Sequence, residues 1–142
     1  MTSALVTGFD HVSTASRDVD ALIEFYRANF GIEPAPGFPV VGPDNRKFVL
    51  IPLSNGTMLQ ATEVSLPDSP AVLTPPGAVF YGTARFDHAS FRARDAEAFE
   101  DARARLMACG ASTGEVRSFG TSRFFAFTDP DGYIAELVVN DA

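Results

Sequence analysis

The chain has 142 residues, 46% apolar and 20% charged, the composition of one globular domain rather than of a disordered or membrane-embedded segment. Its 18 acidic residues outweigh 11 scattered basic ones, for a net charge of −7, which excludes the clustered Lys and Arg that a nucleic-acid backbone demands. No stretch approaches the roughly 18 apolar residues of a spanning helix, and "MTSALVTGFD" carries no basic segment followed by an apolar run. With Cys109 the single cysteine, no internal disulfide can form. A cytoplasmic location, no membrane and no nucleic acid are therefore expected, with a small molecule as partner.

In chain order, residues 6–14 alternate loosely and are expected to form a strand. Asp18 caps the helix that follows, with Leu22, Phe25, Tyr26 and Phe30 on one face and Gly31 ending it. "FPVV" at 38–41 is a short strand between turns, and "KFVLIPL" and "TMLQATEV" are joined by the hairpin signal "SNG". A stretch rich in Pro67, Pro70, Pro75 and Pro76 then reads as a linker. Beyond it come a strand over 84–92 and a helix capped by Asp95, with Phe99, Ala102 and Leu106 inward and Gly110 at its end. The strands "TGEVRS", "SRFFAF" and "YIAELVV" follow. Cys109, near the end of that helix, is expected to be a small core residue. "TDPDG" is a turn by composition, and "FGTSRFF" a tight turn rather than an anion loop, because a strand and not a helix follows it.

The order of elements repeats because the sequence does. At an offset of 77, "FDHVSTASRDVDA" falls on "FDHASFRARDAEA", with seven of thirteen pairs identical. At an offset of 76, "KFVLIPLSNGTMLQ" falls on "RFFAFTDPDGYIAE", setting Gln60 on Glu136. The fold expected is α+β, two tandem βαβββ modules forming one cupped mixed sheet. The whole is one domain, with module one at 5–65, the linker at 66–83 and module two at 84–140.

The chain's two histidines, His11 and His88, occupy equivalent positions in the first strands, and Gln60 and Glu136 in the last. Alternate strand residues share a face, so two modules related by an approximate two-fold bring these four positions together. Two imidazoles and a carboxylate then make a 2-His-1-carboxylate set able to hold a divalent cation with positions open for substrate. A single strand His is often a hydrogen-bonded core or surface residue, and a repeat copies residues whether or not they act. Glu136, however, is the only charge between Asp131 and Asp141, and a carboxylate in an apolar strand needs a partner.

Across residues 8 to 139, on "FDHVSTASRDVDALIEFYRANFGI", "FDHASFRARD" and "FAFTDPDGYIAEL", the chain resembles the vicinal oxygen chelate superfamily, the group of glyoxalases, bleomycin-resistance proteins and extradiol dioxygenases. The resemblance implies a cupped sheet around a divalent metal, Fe, Mn, Ni or Zn, held by His11, His88 and Glu136. It also implies a homodimer. Gln60 stands where bacterial glyoxalases carry a second Glu, which makes a literal glyoxalase reaction less expected. The expected function is a metal-dependent lyase, isomerase or ring-cleaving dioxygenase in which the metal chelates oxygens of a small oxygenated substrate. Glu136 and Gln60 are the expected catalytic pair: Glu136 as ligand or transient base, Gln60 as weak ligand or as the group orienting a water or substrate oxygen. Strand parity adds Phe9, Ser13, Met58, Thr62, Phe86, Ser90, Ile134 and Val138 as pocket lining. The alternative is a metal-free protein of the same fold that sequesters a small molecule or antibiotic.

Overall fold

The computed structural model describes residues 10–42, 45–64 and 89–140. The expected start of the first strand before residue 10, the linker at 66–83, and the segment 84–88 with Phe86 and His88 lie outside the described residues, as does Phe9. Two βαβββ modules are present. The first is β1 (His11–Ser16), α1 (Val19–Phe30), β2 (Val40–Val41), β3 (Lys47–Pro52) and β4 (Met58–Glu63). The second is β5 (Ala89–Arg92), α2 (Ala96–Ala108), β6 (Arg117–Phe119), β7 (Ser122–Thr128) and β8 (Ile134–Asn140). Each forms a four-stranded mixed sheet, ordered β1-β4-β3-β2 and β5-β8-β7-β6, with β1–β4 and β5–β8 parallel and the other pairs antiparallel. The chain's contacts divide it into two compact units, Met1–Arg27 with Gly31–Leu66, and Ala28–Phe30 with Pro67–Ala142.

Local chemistry starts and stops the helices where the sequence indicates. Asp18 accepts from the Ala21 N–H at 3.0 Å and Asp95 from the Ala98 N–H at 2.8 Å, each satisfying an amide that has no partner within the first turn. That amide and the Arg94 guanidinium hold the Asp95 carboxyl below its ordinary value. Gly31, at φ 65°, ends α1 in the left-handed conformation that only glycine adopts without strain, and its N–H reaches Arg27 O at 2.9 Å.

In the first unit, Val19, Leu22, Ile23 and Tyr26 of α1 are buried, as are Val49, Ile51, Leu59 and Ala61 of the sheet. The Val19 N–H donates to Glu63 Oε2 at 3.2 Å and Lys47 pairs with Asp20, so the start of the helix is tied to the sheet through two adjacent residues. The apolar stripe of α1 is rotated from the one expected: Ile23 replaces Phe25, which is half-buried. Phe30 belongs to the second unit, where its ring lies 5.2 Å from Phe127 and 6.4 Å from Phe91.

The second unit's core is Phe99, Ala102 and Leu106 of α2 with Phe125, Phe127, Ala135, Leu137 and Val139 of the sheet. Phe99 meets Phe125 edge-on at 5.1 Å, and the Arg123 guanidinium lies 5.2 Å over the Phe99 ring. Each fully buried Phe contributes roughly 1.5–3 kcal/mol.

Three expectations are corrected. Cys109 is exposed, because the chain leaves the helix there; its Sγ lies 3.5 Å from Leu106 O and 3.7 Å from Asn29 Oδ1. The strand expected at "TGEVRS" starts only at Arg117. Gly114 takes φ +71° and spends its backbone groups on side chains, its N–H on Ser112 Oγ and its carbonyl on Arg103 Nε. "FPVV" contributes only Val40–Val41, as Pro39 has no N–H for a ladder.

Candidate functional site

Register decides which side chains share a face. In the first sheet Ser13 pairs with Gln60 and His11 with Met58. Val12, Thr14 and Ser16 pair with Leu59, Ala61 and Glu63 on the opposite side, the side that α1 covers. His11, Ser13, Met58, Gln60 and Thr62 therefore lie on the face of this sheet away from α1, joined by Phe48 and Leu50 through the pairs Phe48↔Thr62 and Leu50↔Gln60. The same alternation holds in the second sheet. Ser90 pairs with Glu136, Glu136 with Ala126, Arg92 with Val138 and Thr128 with Ile134. The intervening Phe125, Phe127, Ala135, Leu137 and Val139 are buried on the α2 side. Each sheet thus has an apolar face under its helix and a mixed face away from it. Every expected site residue that is described, in both units, lies on the mixed face.

Two residues beside the expected set escape the sequence reading. Asp10 Oδ2 lies 2.8 Å from His11 Nδ1. With an imidazole Nδ1–H donating to that carboxylate, Nε2 is left with its lone pair outward, the orientation in which histidine ligates a metal. The signal was available: the "DH" pair recurs as Asp87–His88 in the second module. Arg92, exposed on the face of Ser90 and Glu136, occupies the position where the repeat carries Ala15.

The turn leading into the Glu136 strand is built by Asp129, whose Oδ1 accepts from the N–H groups of Asp131 at 2.9 Å and Tyr133 at 3.0 Å. Gly132, at φ +82°, completes it with its N–H on Asp129 O. Burial first, and the nearby Asp131 carboxylate as well, push the Asp129 carboxyl up to about 6, against the pull of the backbone amides. Asp131 is itself buried. "TDPDG" is accordingly a structural turn, as its composition indicates. Arg94 pairs with Asp95 at 2.7 Å, a surface ion pair.

Within the described residues no group of three or more His, Cys, Asp and Glu side chains is placed to hold a metal, and His88 is not among those residues. Likewise no helix among them is long and apolar enough to cross a membrane.

A family model described as the glyoxalase/bleomycin resistance protein/dioxygenase superfamily matches residues 8–137. The chain belongs to that superfamily. Solved structures agree on the fold. A glyoxylase/bleomycin resistance protein/dioxygenase domain from Frankia sp. EAN1pec superposes with a TM-score of 0.73 at 22% identity, covering 95% of this chain and 93% of the other. The fosfomycin resistance protein FosX from Listeria monocytogenes, complexed with Mn(II) and sulfate, gives a TM-score of 0.65 at 18% identity, over 96% and 94%. Lactoylglutathione lyase from Agrobacterium tumefaciens gives 0.64 at 21% identity, over 97% of each chain. No curated protein matches the sequence. At these identities the structural likeness to superfamily members is one of fold.

Proposed function

We propose that this superfamily member is a divalent-metal-dependent enzyme acting on a small oxygenated substrate, with His11, His88 and Glu136 as metal ligands. The observation that carries the reading is the placement of His11 and Glu136 on the helix-free faces of their sheets, with the His11 ring oriented by Asp10. In the sequence His88 precedes Ser90 by two residues as His11 precedes Ser13, which supports treating the two histidines as equivalent. The donor set fits a borderline cation such as Mn(II), Fe(II), Ni(II) or Zn(II): two imidazoles, one carboxylate and coordination positions to spare.

When bound, such a cation supplies Lewis-acid stabilisation of the negative charge that develops on chelated substrate oxygens. The rest falls to the chain's own residues. Asp10 holds the His11 ring by its Nδ1. Glu136 would balance part of the cation's charge or, as a base, take a proton from the substrate at its carboxylate. Gln60, the cross-strand neighbour of Ser13, is neutral; its amide donates to a substrate oxygen instead of adding a second negative charge. Met58, Thr62, Ile134 and Val138 supply a largely apolar lining that keeps water from the reacting oxygens.

Metal analysis of protein purified without chelators is the direct test. Roughly one equivalent of a first-row divalent metal is expected in the native chain. His88→Ala and Glu136→Ala should each lose it together with any oxygen consumption on catechols. A His88→Ala protein that keeps both metal and activity would overturn the assignment. Tight small-molecule binding indifferent to a chelator would point instead to a sequestering protein.

A further inference from the structure

Eighteen acidic residues surround eleven basic ones in this chain, so a cation without an acidic neighbour is an exception. Lys47 pairs with Asp20, Arg27 with Glu24 and Glu33, Arg94 with Asp95, Arg103 and Arg123 with Glu100, Arg105 with Asp101, and Arg117 with Glu115. Arg17 and Arg46 also have interaction partners. Among the described residues Arg92 is the one arginine or lysine whose side chain makes no hydrogen bond or ion pair. Its location is not arbitrary. It follows Ser90 by two residues on β5 and pairs with Val138, which follows Glu136 by two on β8. The guanidinium is thus exposed on the Glu136 face, displaced along the strands by about 7 Å, two strand steps.

The repeat sharpens the point. The modules share Ser13 with Ser90 and Arg17 with Arg94, but the position between them is Ala15 in the first and Arg92 in the second. Of these two equivalent positions only the second module's carries a charge. An uncommitted guanidinium offers a planar fork of N–H donors matched to an oxyanion.

We propose that Arg92 binds an oxyanion group of the substrate, so that the substrate class is a small molecule bearing chelating oxygens and, about two strand steps away, a carboxylate or phosphonate-type anion. The inference rests on the metal-chelating reading and names its substrate class; Arg92 is a specificity residue in that site, not a ligand. A substrate held at both ends is fixed in orientation as well as bound.

The test compares 3,4-dihydroxybenzoate with catechol, which share the chelating pair and differ by the carboxylate on the opposite side of the ring. Binding of each is titrated calorimetrically to the full-length protein with and without Mn(II). The wild type should bind the acid at least about tenfold more tightly than catechol, as a charge-assisted hydrogen bond provides. Arg92→Ala should abolish that preference while leaving catechol binding, Mn(II) affinity and melting temperature unchanged. Arg92→Lys should restore part of the preference, and rising salt should erode it. A wild type that does not discriminate, or an Arg92→Ala protein that discriminates as the wild type does, overturns the proposal. Binding of both compounds that ignores Mn(II), with the Arg92-dependent preference intact, defeats the metal reading alone and leaves the oxyanion site standing.

Discussion

Asp10 and Asp129 show how differently two carboxylates are used in a chain with acid to spare. Asp10 is exposed and lies against the His11 ring, where its value lies in orientation rather than in stability, since a solvent-screened pair contributes little. Asp129 is largely withdrawn from water, and its carboxyl is pushed up to about 6. The sign follows by linkage. Between the ordinary carboxylate value of 3.8 and about 6, the folded chain holds a proton that the unfolded chain has released. Stability contributed by this group therefore falls as pH rises through that window. Asp129→Asn keeps an oxygen for the Asp131 and Tyr133 amides but cannot ionise. Thermal melts from pH 4 to 7 are expected to show a smaller decline for Asp129→Asn than for the wild type; parallel curves would rule out Asp129 as the source. The residue's raised value was not legible from "TDPDG", because composition does not report burial.

At the scale of elements, the helices were the most legible parts. Capping acts over three residues and the apolar stripe over three or four, so Asp18, Gly31, Asp95 and the Phe99–Ala102–Leu106 stripe all stand where the pattern put them. Asp18→Ala removes the acceptor for the Ala21 amide and is expected to cost about 1 kcal/mol, a fall of about 3 °C in melting temperature. Asp18→Asn should recover most of it, and differential scanning calorimetry reads both. Strand limits were less legible. Gly114 and Pro39 divert the chain from the ladder for reasons of φ and missing donors, and Cys109 leaves the α2 stripe because the helix stops one residue before it. The apolar face of α1 turned toward Ile23 because the covering surfaces, not helix periodicity, decide which large side chain fits.

At the scale of the whole molecule, duplication is the governing fact. Each unit carries its own helix-covered core and its own mixed face. A ligand that binds only the folded chain stabilises it by mass action, about 2.7 kcal/mol at a hundredfold excess over its dissociation constant. Saturating Mn(II) is therefore expected to raise the melting temperature of the wild type, a chelator to reverse the rise, and Glu136→Ala to show none. An identical rise in Glu136→Ala would place the metal elsewhere.

The amino-acid sequence alone determined the doubled βαβββ order, the helix caps and the turns. All of these are written in short-range spacing or in the repeat itself. What only the tertiary structure decided is which face of each sheet its helix covers, and that Arg92 stands on the Glu136 face with no hydrogen-bond or ion-pair partner among the described residues. Those outcomes depend on strand register and on the seating of a helix over one side of a sheet, contacts between residues tens of positions apart that no local pattern encodes.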